Sequence, residues 1–288
     1  MKRIRIIAAV LVLFMSISCI GNVSISGNNC STVQARSSKT KSSKSSKSKK
    51  SQKVKKGWYM SKKGRVYYYD DKGKMVKSSI KKINNKYYFF DKKGKQHVGW
   101  IKAGKYYYYF NIAAKKKGYM IKNKTINGIK LDSKGRAVSN KDKARLLARA
   151  NSLAFSVTNF KMSQREKNKA VFLYIRNNTD WRNLTGFRSD LDDWAKYYAQ
   201  YAIFKGYGDC YCGGCGFAYM ATAVGAKKVY AVSSGGHGWA KIGDTYYDPN
   251  WSWAMKNVDD YFDCPESLSG HNGRPDWAGS GAYVTRVD

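Results

Sequence analysis

A four-residue mark that returns at nearly constant spacing constrains this chain more than any other feature. It reads Asp70-Asp71-Lys72-Gly73, then Asp91-Lys92-Lys93-Gly94, then Asp132-Ser133-Lys134-Gly135. The first two marks begin 21 residues apart and the third 41 further on, about two periods. A degenerate unit near Tyr106 to Lys117 fills the gap. Aromatic runs precede the turns: Tyr67-Tyr68-Tyr69, Tyr87-Tyr88-Phe89-Phe90 and Tyr106 to Phe110. Gly57-Trp58 and Gly99-Trp100 stand 42 residues apart. So short a period leaves room for one strand, an Asp/Lys-Gly turn and a second strand per unit. One such hairpin cannot build a core, whereas stacked hairpins share one. Residues 57–139 are therefore expected to form a β-hairpin solenoid, with most of its aromatics as the shared core. Trp58, Tyr68, Tyr88, Trp100 and Tyr107 are the candidates for a ligand-facing role.

Ahead of the repeats, residues 1–35 read as an export signal. Lys2, Arg3 and Arg5 precede the apolar run Ile6 to Met15, and Val33-Gln34-Ala35 fits cleavage after a small residue. A lipid anchor at Cys19 is the weaker alternative, because position 16 is serine. The mature chain is then expected to have no transmembrane helix and to work outside the cell. Residues 36–56 are serine and lysine with one arginine, a solvated linker with too little apolar surface to fold.

The net charge of +35 is unevenly spread. Residues 36–56 hold ten cations and no carboxylate, residues 57–139 hold 22 against 4, and residues 140–288 hold 19 against 15. The excess belongs to the linker and repeats. For an exported protein this points to anionic wall polymers, teichoic acid or peptidoglycan, before nucleic acid. No groove-reading helix or RNA-type motif is present, so no nucleic acid is expected.

Residues 140–288 have the length for one independent core. Asn140 to Phe155 has helical spacing. Ser163-Gln164-Arg165-Glu166 is a capping box ahead of a second helix. Ser189-x-x-Asp192 is expected to cap a third, carrying Leu191, Trp194 and Tyr198 and ending near Lys205-Gly206. Phe217, Met220, Ala221 and Val224 continue a fourth that stops at Gly225. Strands are expected at Val229 to Val232, His237 to Ile242, Thr245 to Asp248 and Ala282 to Val287. Gly243-Asp244 makes the middle pair a hairpin. Helices followed by antiparallel strands make an α+β fold.

Cys210 falls at the start of the fourth helix, where unpaired N–H groups and the helix dipole favour a thiolate. The hairpin register sets Trp239 opposite Asp248, with His237 as its diagonal neighbour on the same face. A thiol, an imidazole and a carboxylate are the parts of a nucleophile, its base and an orienting group. Other readings compete. Cys210, Cys212 and Cys215 together with Cys264 are open to zinc binding, and Cys264 is open to a disulfide with Cys212 or Cys215. His271 is a rival base, and His97 is most simply a surface residue. Trp251, Trp253 and Trp277 are expected on or near the cleft wall.

Two resemblances sharpen this. Gly208-Asp209-Cys210-Tyr211, the helix ending at Gly225, His237-Gly238-Trp239 and Tyr247-Asp248-Pro249 resemble the transglutaminase-like, papain-related core of bacterial exported proteins. By that resemblance Cys210 is the nucleophile, His237 the general base and acid, and Asp248 the residue that holds the imidazole. The Cys210 N–H would help bind the oxyanion. The chain departs from the family at Gly213, Gly214 and Cys215, where alanine-type residues are usual. The repeats resemble choline-binding cell-wall repeats, in which aromatics of adjacent hairpins cage a quaternary ammonium. Together these imply a wall-associated cysteine enzyme acting on peptide or amide bonds, a peptidase, amidase or transglutaminase, with no metal or organic cofactor. The alternative is a surface adhesin or peptide-binding scaffold with the same fold and no turnover.

Overall fold

The computed structural model describes residues 56–112, 118–184 and 186–288. The export signal, the lipid-anchor alternative and all but the last residue of the linker lie outside the described residues. So does most of the run after Phe110 in the degenerate unit.

The repeats fold as antiparallel hairpins. β1 (Gly57–Met60) pairs with β2 (Val66–Tyr69), and β3 (Ser79–Ile83) pairs with β4 (Lys86–Phe90), to which β5 (Gln96–His97) adds. β6 (Gly99–Ala103) pairs with β7 (Tyr106–Phe110), and β8 (Thr125–Ile126) with β9 (Ile129–Lys130). The recurring Asp turn closes the shorter antiparallel pair of each unit, as expected: Asp91 to Lys95 joins β4 to β5, and Tyr69 bridges Met75 and Leu131 bridges Ala137 across the other two. The longer pair of a unit is closed elsewhere. Asn84-Asn85 closes β3–β4 and Asn127-Gly128 closes β8–β9, both residues of each pair having positive φ, the conformation a tight two-residue hairpin needs. The Asp turn follows the second strand of the longer pair and folds the chain back against it. Asp70, Asp91 and Asp132 each use Oδ1 to accept two backbone N–H groups, two and four residues on, at 2.8–3.0 Å. One carboxylate per unit thus fixes the turn from within.

The array is not free-standing. Ile83, Tyr88 and Phe90 form one small core with Trp58 and Tyr68 against it, and Ile101, Phe110 and Met120 form a second. Trp100, Ile129, Leu131 and Ala137 instead join the core of the helical region. Asn151 donates through Nδ2 to the carbonyls of Val98 and Trp100 at 2.7 and 3.0 Å. His97 is not a surface residue: its ring stacks on Phe155 at 3.5 Å and its Nε2 bonds Asp91 Oδ2 at 3.0 Å. Burial pushes the His97 pKa down against the pull of Asp91. Asp91→Ala removes acceptors for two backbone N–H groups and for His97. It is expected to lower stability by about 2 kcal/mol, more than Asp70→Ala, in urea unfolding followed by tyrosine fluorescence.

The remaining chain builds helices and then a sheet. α1 (Lys141–Val157) and α2 (Gln164–Asn178) come first, and Ser163 and Glu166 make both bonds of the expected capping box. β10 (Asp180–Trp181) pairs in parallel with β11 (Tyr207–Gly208). The third helix starts later than expected: α3 runs Trp194–Gln200 and continues as a π turn, Tyr201–Lys205, ending at Gly206. Residues 186–193 are held by long-range contacts instead. Tyr198 Oη accepts from Arg188 N and donates to Gly186 O, while the Phe187 ring meets Trp194 at 5.2 Å. Tertiary packing overrides the local cap signal there.

α4 (Cys210–Ala223) is buried at every residue after Cys210 and forms the centre of the core. A five-stranded antiparallel sheet lies over it: β12 (Val229–Ser233), β13 (Gly238–Ile242), β14 (Thr245–Tyr247), β15 (Phe262–Pro265) and β16 (Tyr283–Arg286). Their order is β15-β14-β13-β12-β16. α5 (Pro249–Ala254) follows β14. Phe217 of α4 meets Tyr247 of the sheet at 4.9 Å and Phe172 of α2 at 5.5 Å, which fixes the layers. The molecule is thus a mixed α and β structure with several small antiparallel sheets, and no helix among the described residues is long and apolar enough to cross a membrane.

Candidate active site

Cys210 is the first residue of α4. Asp209 is its N-cap, in extended conformation, and Oδ1 accepts from Cys212 N at 3.2 Å. The cap leaves the Cys210 N–H and the positive end of the helix beside the sulfur. Glycines that depart from the family pattern have a contact reason. A Cβ on Gly213 would lie 2.5 Å from the Trp181 ring. A Cβ on Gly214 would lie 2.7 Å from the Trp239 backbone. The helix therefore rests directly on β13, and burial of its other faces offsets the weak helix propensity of glycine.

Gly238 completes the close approach from the other side. A Cβ there would stand 2.7 Å from Tyr211 Cα and 3.0 Å from Tyr211 N. Only a residue without a side chain lets the start of α4 meet the start of β13, and that meeting sets His237 beside Cys210. The loop before His237 is tied down as well. Ser234 Oγ accepts from His237 N at 3.0 Å, and Tyr211 Oη donates to Gly235 O at 2.7 Å.

Asp248 ends the hairpin on the expected diagonal. Ile242 pairs with Thr245 and Ala240 with Tyr247. His237 Nε2 lies 2.6 Å from Asp248 Oδ2. His237 itself precedes β13 rather than opening it, and Asp248 is the N-cap of α5 rather than a strand residue. The carboxylate is fully buried and saturated. Oδ1 accepts from Trp251 N at 2.9 Å, and Oδ2 also accepts from the Trp277 indole N–H at 3.0 Å. A carboxylate can only accept, so Nε2 carries the hydrogen and Nδ1 is the nitrogen left to exchange a proton with Cys210. Burial opposes a charge on the imidazole. The Asp248 charge and hydrogen bond, helped by the neighbouring Cys210, outweigh it, and the His237 pKa is pushed up to about 10. The ring stacks on Trp239 at 5.8 Å and meets the edge of Trp251 at 6.2 Å.

That shift has a measurable sign. A free histidine releases its proton near 6.5 and the folded one near 10. The stabilisation is complete below the first value and is lost as pH rises through the second. Unfolding free energy is expected to fall between them by on the order of 1 kcal/mol per pH unit. Urea melts across that range check it, and His237→Ala should flatten the slope.

The other predicted residues divide. Cys212, Cys215 and Cys264 are buried free thiols, with Cys212 and Cys215 raised in pKa by burial, so no disulfide links them. Among the described residues no group of three or more His, Cys, Asp or Glu is placed to hold a metal ion. His271 sits in an exposed turn, its backbone N bonding Leu268 O. Trp277 belongs to the site through its indole N–H, a role beyond the cleft-wall packing read from the sequence. Among the repeat aromatics, Trp58 meets Tyr68 at 5.1 Å and Tyr88 at 4.8 Å, both edge-on. Tyr88 is buried. Trp100 is 1% exposed and donates to Asn127 Oδ1 at 2.8 Å, so neither Tyr88 nor Trp100 presents a free face to a ligand. Tyr107 is half-buried on a cleft against α1.

No family model matches this sequence, and no curated protein matches it. Solved structures match in part. A choline binding domain of Streptococcus pneumoniae is 26% identical, with 29% of this chain and 95% of that chain covered at a TM-score of 0.26. Choline binding protein F of the same organism, solved with a peptidoglycan analogue, is 29% identical, with 29% of this chain and 27% of that one covered at 0.26. The modular autolysin LytC of Streptococcus pneumoniae is 23% identical, with 28% and 21% covered at 0.22. This chain therefore spans about a quarter of the length of the last two proteins.

Proposed function

We propose that this protein is an exported, wall-associated cysteine enzyme that acts on peptide or amide bonds through Cys210, His237 and Asp248, on a transglutaminase-like core. The observation that carries it is the 2.6 Å bond from His237 Nε2 to a fully buried Asp248, with Cys210 at the adjoining start of α4. Nδ1 takes the thiol proton, and the sulfur attacks the acyl carbon. The carbonyl electron pair moves to oxygen, which the Cys210 N–H receives. Collapse expels the amine, which takes the proton from His237 and leaves an acyl-thioester. Water or an amine then adds to the acyl carbon, passes its proton to His237, and the sulfur departs. Water makes the protein a peptidase or amidase; an amine makes it a crosslinking transglutaminase.

The repeats bring the enzyme to its substrate. Residues 57–139 carry 22 cations against 4 carboxylates, a surface that holds to anionic wall polymer and raises the effective concentration of nearby peptide. Mass spectrometry of wall and surface peptides, incubated with wild type and Cys210→Ala, tests this reading. Cleavage adds the mass of water across a bond, and crosslinking joins two peptides with loss of ammonia. Products identical in both incubations would refute it.

A further inference from the structure

A cleft of about 380 Å³ opens where the hairpins meet α1, and its chemistry is one-sided. Lys102 of β6 and Arg145 and Arg149 of α1 line it, and no aspartate or glutamate does. Among the described residues, no carboxylate lies within ion-pairing distance of any of the three. The two arginines are four positions apart on one helix face, an unfavourable placement for like charges unless something between them compensates. Both are aimed by neighbours that leave charge unspent. The Arg145 guanidinium rests over the Phe204 ring at 4.6 Å, and Arg149 spends Nε on the Ile203 carbonyl at 3.4 Å. The remaining guanidinium donors form two forks of the kind that match tetrahedral oxyanions. Phe89 and Tyr107 add an apolar wall beside them.

We infer that this cleft binds a phosphate group carrying a short organic substituent, phosphate oxygens on the arginine forks and substituent on the Phe89–Tyr107 wall. This deepens the wall-polymer reading, because a phosphodiester polymer would dock where the repeats join the core rather than anywhere on the basic array. It is independent of the thiol chemistry.

Calorimetry on the full chain at constant ionic strength tests it, with inorganic phosphate, glycerol phosphate and poly(glycerol phosphate) as probes and acetate as the carboxylate control. Arg145→Gln/Arg149→Gln is expected to weaken phosphate-probe binding about tenfold or more. Lys227→Gln/Lys228→Gln removes the same charge from an exposed site outside the repeats and is expected to change it no more than about twofold. Arg145→Lys/Arg149→Lys keeps charge but loses the forks, and should lie between. Unchanged thermal midpoints show that the variants fold. Equal losses in the two Gln pairs, or acetate competing as well as phosphate, would overturn the inference and leave the wall reading intact. Binding of the small phosphates without the polymer would keep this site and remove the wall reading. No binding of any phosphate probe would overturn both.

Discussion

Gly238→Ala is expected to separate Cys210, the proposed nucleophile, from His237, its proposed base, in a chain that still folds. The new Cβ would stand 2.7 Å from Tyr211 Cα, and the atom it meets is backbone, which cannot rotate aside. The start of α4 must move off β13. Overpacking of this kind costs about 1–3 kcal/mol, and a displacement near 1 Å between reacting groups costs about 100-fold in rate. Turnover and Cys210 alkylation should therefore fall far more than stability. Gly236→Ala is the matched control. It lies two residues earlier in the same loop, and the atom nearest to its Cβ is Ser234 Oγ at 4.0 Å. That variant is expected to behave as wild type. Equal effects of the two substitutions would show that loop flexibility, not the helix–strand contact, sets the site.

Asp248→Asn carries the second large effect. The buried carboxylate accepts from His237, the Trp277 indole and the Trp251 backbone. An amide has one acceptor oxygen and brings two donors of its own, so at least one of those bonds becomes a donor–donor contact. Disrupting a buried, charge-assisted network of this kind is expected to lower unfolding free energy by about 3 kcal/mol. The imidazole also loses the charge that keeps it protonated, so the fall of stability between neutral pH and pH 10 should disappear. Loss of the orienting carboxylate is expected to slow the acyl-transfer step by about 10²–10⁴. Trp277→Phe removes one donor and leaves the carboxylate in place, so its effect should be several-fold smaller. Denaturant melts over a pH series, paired with alkylation rates, separate the two variants.

What the sequence made visible was local periodicity. The Gly243-Asp244 turn sets the register of β13 and β14, and that register sets Trp239 across from Asp248 with His237 on the diagonal. The capping box at Ser163 was likewise complete within four residues. Contacts that close over long separations were not visible. Trp277 reaches Asp248 from 29 positions away, and nothing around it in sequence marks an indole that donates to a carboxylate. Gly214 and Gly238 look like weak points of a helix and a strand until the two elements are seen to touch. Phe187 and Tyr198 displaced the helix start expected at Ser189, because aromatic packing outweighed a cap. In the repeats, the Asp-x-x-Gly mark recurs with a period and closes the shorter pair of each unit, whereas the Asn84-Asn85 and Asn127-Gly128 turns share no periodic mark. Yet the positive φ of those residues is what a tight hairpin demands.

The most direct test is site-resolved alkylation. Native protein is treated briefly with iodoacetamide near neutral pH, and the modified fraction of each cysteine is read by mass spectrometry. The proposed pairing of Cys210 with His237 predicts that Cys210 reacts about 100-fold faster than the buried Cys212 or Cys215. His237→Ala should remove most of that advantage without exposing the buried pair. Slow labelling of Cys210, unchanged by the loss of His237, would contradict the account.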